Sequence, residues 1–375
     1  MAETPDTDFS SNNIRLNARE WLVALGLFAF IILATPLLWR SSEHIETHPD
    51  YRVPYDLSND YWVYDRHLRR LPAEAIAVVG DSVVWGEYVD RNGTVSHFLS
   101  EQTGRPFINA GVNGLYPLAL EGLIKHHGAA LQNRKVLLHC NLLWLSSPER
   151  DLQTPKEQTF NHPALIPQIS PRIPSYHADT ETRLVRTIEN RVAFFTWVNH
   201  LQESHFDQKS IPQWTIAEAK NNPDSHPNNY ANPLAQIQMT VPPEKTNDPI
   251  RGTASPRHKR WSGTRRELDW VPLETSLQWR AFQRLVRLLK SRGNDVYVVV
   301  GPLNQHMLTG ENRTRFKKLG SGVAIWLTKY EIPHFAPDPL PSVQYADASH
   351  PLTQGYQQLA KKILTEKSFT DWLGH

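Results

Sequence analysis

Three residues in two short motifs have the chemistry of a Ser-His-Asp acyl-transfer site. Ser82 ends a Gly-Asp-Ser motif that follows an apolar run, and Asp347 stands three positions before His350. In such a site the serine attacks an acyl carbonyl, the histidine takes the serine proton, and the aspartate fixes the imidazole tautomer. Each motif also has an ordinary alternative, because Asp and Ser cap many helices. The elements around the motifs must therefore decide between these interpretations.

Both motifs lie where strands are predicted to end. The apolar run 75–79 is bounded by turn residues and is typical of a buried parallel strand. Ser82 would then stand near a helix N-terminus, whose free N–H groups can stabilise an oxyanion. Asp347 and His350 fall on a loop between a last short strand and a last helix. Since ligands bind at the carboxyl edge of a parallel sheet, we expect the three side chains to meet there.

The alternation of elements predicts the fold class. Strand-like runs at 74–80, 105–110, 135–145, 294–301 and 331–336 alternate with helical stretches at 92–103, 116–132, 275–292, 311–330 and 351–366. This order predicts an α/β fold, a parallel sheet with helices on both faces. Asn304 and His306 follow the fourth strand at the same sheet edge. We expect them to contact substrate, although polar side chains of this kind are also common in loops.

In these motifs the chain resembles the SGNH (GDSL-type) hydrolase superfamily. Ser82 matches the first sequence block of that family, and Asp347 with His350 matches the fifth; the resemblance covers about 74–145 and 275–366. It implies a flavodoxin-like parallel sheet (the SGNH hydrolase fold). It also implies a catalytic triad of Ser82, His350 and Asp347 that acts on acyl esters through an acyl-enzyme, without a metal or another cofactor.

The same resemblance implies an oxyanion hole. Its donors would be the backbone N–H groups of the nucleophilic serine and of Gly114, with Gly111 as the alternative glycine, and the side chain of Asn141. His139 and Leu142 stand where the family has Gly and Asp. This departure predicts a bulkier, less polar wall beside Asn141, and hence slow hydrolysis of the acyl-enzyme.

A membrane anchor is predicted near the N-terminus. Residues 21–39 carry no charge and have Trp at both ends. At roughly 1.5 Å per residue this stretch nearly spans a hydrocarbon core of about 30 Å. The alternatives are a buried core helix or a cleaved signal peptide, but the residues after Leu33 offer no small-x-small cleavage site. The flanking Lys and Arg residues are balanced, so the location of the catalytic domain outside the cytoplasm is what resemblance to anchored relatives implies.

The remaining chain divides around this anchor. We expect an N-terminal tail (1–20), the anchor (21–39), a linker (40–73) and an SGNH-type domain (74–375) with an insertion at about 150–272. Within the insertion, 183–202 predicts an amphipathic helix that faces either the core or a membrane surface. The Pro- and Asn-rich composition of 208–261 predicts an insertion that is extended or partly disordered. The basic cluster at 257–266 is either solvated or in contact with anionic lipid or an acidic polymer.

Composition excludes several classes of function. A formal net charge of +2 gives no reason to expect nucleic acid as a partner. The single cysteine, Cys140, excludes an intrachain disulfide and predicts a buried core thiol. The chain has neither a His-Glu-x-x-His motif nor a phosphate-binding glycine loop, so no metal or nucleotide is implied.

These observations predict a membrane-anchored serine esterase or O-acyltransferase. By analogy with anchored relatives such as the D-alanyl transfer proteins of cell-wall biosynthesis, the substrates would be an acyl donor and a carbohydrate acceptor in a cell-envelope polysaccharide. A multispanning acyltransferase would be its partner in the membrane. The alternative is a non-catalytic protein that uses the same cleft to bind glycan or to assemble a complex. Such a module has no need of all three triad residues.

Overall fold

The computed structural model describes residues 16–46, 48–206, 237–243 and 260–374. The chain forms two compact units, one ending at Glu43 and the other running from His44 to the C-terminus. Most of the segment predicted to be extended, 208–261, and the basic residues 257–259 lie outside the described residues.

The first unit contains one long apolar helix. Helix α1, Ala18–Ser42, contains an 18-residue stretch with a mean hydropathy of 2.4 and is long and apolar enough to cross a membrane. The Asn17 side chain accepts from the Glu20 N–H at 3.0 Å, and the Glu20 carboxylate accepts from the Asn17 N–H at 2.7 Å. This capping box fixes where the helix begins. Its side chains are largely exposed, which contradicts the core-helix alternative.

The second unit is built on a parallel sheet. Its strands are β1 (Ile76–Gly80), β2 (Phe107–Gly111), β3 (Lys135–Cys140), β4 (Asp295–Val300) and β5 (His334–Phe335). All neighbouring pairs are parallel, in the order β2-β1-β3-β4-β5. The predicted α/β class with a parallel sheet is confirmed, and the order is the flavodoxin-like one. Gly80 pairs with Gly111, so β1 and β2 end side by side.

Helices cover both faces of the sheet. The helices of this unit are α2 (Tyr61–Arg69), α3 (Ser82–Trp85), α4 (Val95–Thr103), α5 (Pro117–His127), α6 (Thr180–Glu189), α7 (Ala193–His205), α8 (Leu277–Ser291), α9 (Gly310–Lys329), α10 (Thr353–Thr365) and α11 (Lys367–Gly374). Because successive strand side chains point to opposite faces, Ala77 and Val79 join one core with α2, α5, α8 and α9. Ile76 and Val78 join the other with α3, α4, α10 and α11.

The segment predicted as a linker, 40–73, is part of the folded unit from His44 onward. Ile45, Tyr51, Val53 and Leu57 are buried in the core, and every residue of α2 except Arg69 is buried. The linker prediction is therefore wrong for this stretch. Its aromatic and aliphatic side chains fill space beside the sheet and add apolar burial, which a solvated linker would not.

The helix predicted at 183–202 is two helices. Residues 190–192 separate α6 from α7, and the Asn190 side chain donates to the carbonyl of Ala164 at 2.6 Å. Leu184, Ile188 and Phe195 are 57%, 39% and 39% exposed, so this stripe does not face the core. The core-facing interpretation is wrong for α6, which has no buried residue, whereas α7 buries His200 and Leu201 and its Val198 is half-buried. The membrane-surface alternative stays a prediction.

Truncation tests both the anchor and the boundary at His44. We expect the full chain to fractionate with membranes and to resist alkaline carbonate extraction, because α1 is apolar along its length. A chain of residues 44–375 should be soluble and melt cooperatively. A chain of residues 74–375 should aggregate, since it lacks the buried side chains of α2. A mature N-terminus near residue 40 would instead mean that a signal peptide is cleaved.

Candidate active site

Ser82 begins a one-turn helix shortly after strand β1, which lies between β2 and β3. Asp81 caps this helix, since its carboxylate accepts from the Val83 N–H at 3.0 Å. Gly86 ends the helix with a φ of 90°, a left-handed conformation that glycine adopts without strain. Ser82 is buried except for 7% of its surface. The strand and the two turns together fix the position of the serine.

Side chains from three parts of the fold hold the carbonyl groups of this short helix. A helix leaves its last carbonyls without partners inside the helix. Here Tyr356 of α10, Asn109 of β2 and Arg52 of the N-terminal segment donate to the carbonyls of residues 83–86, at 2.7 to 2.9 Å. The turn that carries Ser82 (residues 82–86, here called the nucleophile turn for the role predicted for Ser82) is thereby fixed to the sheet, to α10 and to the segment before α2.

Two glycines form the floor under this helix. A Cβ atom on Gly80 would lie 2.5 Å from Cγ2 of Val84, and one on Gly111 would lie 2.5 Å from the backbone nitrogen of Trp85. Both distances are well inside van der Waals contact. The paired ends of β1 and β2 therefore let α3 lie directly against the sheet.

The structure brings the three predicted triad residues together. Oγ of Ser82 lies 2.8 Å from Nε2 of His350. Nδ1 of His350 lies 2.8 Å from each carboxylate oxygen of Asp347. The carboxylate also accepts from the N–H groups of residues 349 and 350 at 3.0 Å, which orients it. With Nδ1 donating to Asp347, Nε2 is the nitrogen that can accept the serine proton.

The charges around the triad hold Asp347 ionised and favour protonation of His350. Burial raises the pKa of Asp347, but the His350 imidazole and the hydrogen bonds outweigh this and lower that pKa to about 2. Burial lowers the pKa of His350, whereas the carboxylates of Asp347, Glu87 and Asp81 raise it, and the net shift is upward. This pattern would stabilise an imidazolium at His350 if the imidazole took a proton from Ser82.

Glu87 is a second carboxylate at the histidine, and sequence reasoning missed it. Its Oε2 lies 3.4 Å from Nε2 of His350, the same nitrogen that faces Ser82. Tyr88 packs edge-on against the imidazole, with ring centroids 5.5 Å apart. The backbone N–H of Glu87 donates to the carbonyl of Ser82 at 3.0 Å, so Glu87 belongs to the same turn as Ser82. The sequence feature that could have indicated this contact is a carboxylate about one helical turn after Ser82.

Two backbone donors are available for an oxyanion. In the part of the chain that the structure describes, the N–H groups of Ser82 and Gly114 have no acceptor. The N–H of Gly111 is occupied, since it donates to Oδ1 of Asn109 at 3.0 Å. Between the two glycines considered from the sequence, Gly114 is thus the better donor. Its carbonyl accepts from Nδ2 of Asn161 at 3.3 Å, which holds the loop.

Asn141 lies beside the nucleophile turn but is already partly engaged. Its Nδ2 donates to Asp81 at 2.7 Å, and its Oδ1 accepts from the Leu143 N–H at 3.0 Å. An amide nitrogen carries two hydrogens, so one remains to donate to an oxyanion. The contact with Asp81 fixes the direction of that hydrogen.

The buried carboxylate of Asp81 accepts four hydrogen bonds. Besides the N–H of Val83, its donors are Nδ1 of His139 at 3.1 Å, the amide of Asn141, and Nε1 of Trp144 at 3.2 Å. Burial raises the pKa of Asp81, but His139 and the other donors outweigh it and bring this pKa to about 2. A buried carboxylate with four donors stays ionised and ties the ends of β1 and β3 together.

The wall predicted beside Asn141 does not form. Leu142 is only 2% exposed and packs in the core, and His139 is turned toward Asp81. These two residues therefore lie beneath the site, where they support its geometry. Any exclusion of water must come from other groups.

Asn304 and His306 support the fold where substrate contact was expected. Asn304 is fully buried, and its Nδ2 donates to the carbonyl of Asp347 at 3.2 Å. Nε2 of His306 lies 2.9 Å from the carbonyl of Leu340. The prediction failed because both side chains turn back toward the loop that carries the triad histidine. Asn304 thus helps to position Asp347.

The charge of Glu87 predicts a shift in the pH dependence of Ser82 reactivity. Glu87→Gln removes a negative charge that favours imidazolium, so the pKa of His350 should fall. The acid limb of Ser82 labelling by a fluorophosphonate, measured against pH, should move to lower pH. Asp347, Asp81 and Tyr88 still face the imidazole in this variant. Glu101→Gln, at an exposed position of α4, should leave the profile unchanged; an unshifted profile for Glu87→Gln would show that this carboxylate does not act on His350.

Comparison with known proteins leaves the geometry as the basis for assigning function. No protein-family model matches the chain, and no curated protein matches it either. Any assignment must rest on the arrangement of Ser82, His350 and Asp347 and on the groups around them.

Proposed function

We propose that the chain is a membrane-anchored, SGNH-type serine esterase or O-acyltransferase that acts on acyl esters. The observation that carries this proposal is the continuous hydrogen-bonded line from Ser82 Oγ through the His350 imidazole to Asp347, with each contact at 2.8 Å. A serine hydroxyl bonded to a neutral imidazole nitrogen, with a carboxylate behind the ring, is the arrangement that activates serine as a nucleophile.

The reaction would proceed in two steps. Ser82 Oγ attacks the carbonyl carbon of an ester while its proton passes to Nε2 of His350. The tetrahedral intermediate collapses to an acyl-enzyme, and the leaving alcohol takes that proton. Water or a sugar hydroxyl then attacks the acyl carbon and gives its proton to Nε2 of His350; the bond from the acyl carbon to Ser82 Oγ breaks, and His350 returns the proton to that oxygen. Asp347 keeps the imidazole in the required tautomer throughout.

Three donors would stabilise the negative oxygen of the intermediate. They are the backbone N–H groups of Ser82 and Gly114 and the remaining amide hydrogen of Asn141. Such donors are preorganised by their other contacts, since Asn161 holds the loop of Gly114 and Asp81 holds Asn141. Loss of one donor of this kind typically lowers the rate by about 10²–10³-fold.

The apolar helix α1 supports a site of action at a membrane. We propose that it is a single-pass anchor and that the catalytic unit lies on the extracytoplasmic side. The substrates would be an acyl donor and a carbohydrate hydroxyl of a cell-envelope polymer, with a multispanning acyltransferase as the source of the acyl group. The length and hydropathy of α1 and the resemblance to anchored SGNH proteins support this assignment.

The competing proposal is a binding protein without activity. The geometry argues against it, because the buried carboxylates of Asp81 and Asp347 and the paired His350 serve no evident purpose in a simple binding cleft. Burial of such groups is costly unless each is hydrogen-bonded, and here each is. Covalent labelling separates the two proposals.

Ser82→Ala tests the nucleophile. The full-length protein should react with a fluorophosphonate, and the variant should lose this labelling and roughly 10³-fold or more of its turnover of a small acetyl ester. The melting temperature should hardly change. Ser96→Ala, which removes a buried hydroxyl from α4, is the matched control and should keep both activities. An unlabelled but folded wild-type chain would favour the binding protein.

The fate of the acyl group distinguishes transferase from esterase. Ser82 and His350 are only 7% and 8% exposed, so water has limited access to an acyl-enzyme. We expect burst kinetics with an activated acetyl ester: fast acylation, slow release in water, and faster release when a sugar hydroxyl is supplied. Asn141→Ala should slow the burst by about 10²–10³-fold. Fast turnover without a burst, unaffected by sugars, would leave a plain esterase.

A further inference from the structure

A cavity lined by asparagine side chains and by apolar groups lies beside the loop that carries Gly114. It has a volume of about 220 Å³ and opens between the start of α2, the end of α5 and the junction of α6 with α7. Four asparagines line it: Asn59, Asn161, Asn190 and Asn199. Pockets for drug-sized ligands have about 300–1,000 Å³, so this one suits a smaller group.

Several polar atoms that line the cavity have no protein partner. Asn199 donates its Nδ2 to the Asn59 carbonyl at 3.3 Å, which leaves its Oδ1 as an acceptor. Among the described residues, the Asn59 side chain, Oδ1 of Asn161 and the carboxylate of Glu189 make no hydrogen bond. A ligand that both donates and accepts hydrogen bonds would satisfy these groups. Hydroxyl groups do both.

The charge of the lining selects against anions. Among the described residues that line the cavity, Glu189 is the one with an ionised side chain, and none is Lys or Arg. His127 is neutral near pH 7, because burial above all brings its pKa to about 4. Phe195 is 39% exposed and offers an apolar face beside the amides. An uncharged ring with hydroxyl groups on its edge and C–H groups on its face fits this combination.

The cavity wall and the candidate oxyanion loop are held by the same residues. Asn161 lines the cavity and donates to the Gly114 carbonyl at 3.3 Å. The next residue, His162, places Nε2 at 2.8 Å from the carbonyl of Asn113 and Nδ1 at 3.3 Å from the hydroxyl of Tyr61, which also lines the cavity. A ligand here would therefore sit next to the loop that supplies the Gly114 N–H.

We propose that this cavity is a binding subsite for a neutral sugar ring, one residue of the polysaccharide whose ester is made or cleaved at Ser82. The hydroxyl groups would bond to the asparagine amides and to Glu189, and one face of the ring would pack on Phe195. The link between this subsite and catalysis rests on the proposed function, whereas the binding of a sugar in the cavity does not.

Calorimetric titration of the full-length Ser82→Ala protein tests the subsite. The protein is placed in lipid nanodiscs, because detergents with sugar headgroups would compete. The probes are the neutral tetrasaccharides cellotetraose, mannotetraose and N,N′,N″,N‴-tetraacetylchitotetraose, and the acidic tetragalacturonate. We expect at least one neutral probe to bind and the acidic one not to. Phe195→Ala and Glu189→Gln should each weaken the binding about tenfold, the order expected when a site group is left unpaired.

Val185→Ala is the matched control. This side chain is 45% exposed on α6 and does not line the cavity, so sugar affinity should stay the same. Melting curves show whether each variant is folded. No binding of any neutral probe, tighter binding of tetragalacturonate, or affinities insensitive to both cavity substitutions would each overturn the subsite.

A second measurement distinguishes failure of the sugar subsite from failure of the proposed esterase or acyltransferase activity. With Ser82 intact, hydrolysis of 4-nitrophenyl acetate by the full-length protein reports the chemistry at Ser82 alone, because that ester has no sugar to place in the cavity. Val185→Ala, outside the cavity, should hydrolyse it at the wild-type rate. Sugar binding without any esterase activity would support the subsite and overturn the proposed chemistry. Esterase activity without sugar binding would do the reverse.

Discussion

The site depends on the buried carboxylate of Asp81. An isolated carboxylate in the interior is strongly unfavourable, and this one is stabilised by donors from its own helix, from the end of β3 and from the turn after β3. Because those donors come from separate elements, the charge joins the ends of two neighbouring strands. Ser82 follows Asp81 directly, so the hydrogen bonds that Asp81 accepts also fix the position of Ser82. Asn141 is oriented by the same carboxylate, which couples the nucleophile to a candidate oxyanion donor.

The nucleophile turn is also fixed from elements far apart along the chain. Arg52 donates to the carbonyls of residues 85 and 86, and its guanidinium lies 3.8 Å from the centroid of the Trp85 ring. Tyr356 reaches the same turn from α10, the helix that follows the triad histidine. The segment that joins the apolar helix to the sheet is thus part of the support of the site. A short helix with all its carbonyls bonded is more rigid than its length alone would allow.

The sequence predicted the sheet and the triad because both depend on local signals. Continuous apolar runs mark buried parallel strands, and Ser82 and His350 follow such runs at the same edge. It did not predict the packing of 44–73 or the roles of Asn304 and Glu87. Those depend on which polar groups meet across the fold, and a single side chain has many equally plausible partners before the backbone is placed. The break at 190–192 was missed because the apolar periodicity continues through it while the amide of Asn190 turns to Ala164.

Gly80 and Gly111, which lie directly under α3, limit how far the position of α3 can shift without disturbing the site. Gly80 and Gly111 stand side by side, and each leaves no room for a methyl group against the residues of the short helix. An alanine at Gly111 would have to displace the backbone of the short helix, and with it the serine oxygen, by a substantial part of an ångström, whereas one at Gly80 would press mainly on the side chains of Val84 and His139. A displacement of that size matters far more to proton transfer across a 2.8 Å contact than to the burial of neighbouring apolar groups. A larger residue at Gly111 is therefore expected to change the alignment of Ser82 with His350 while the two apolar cores keep their packing.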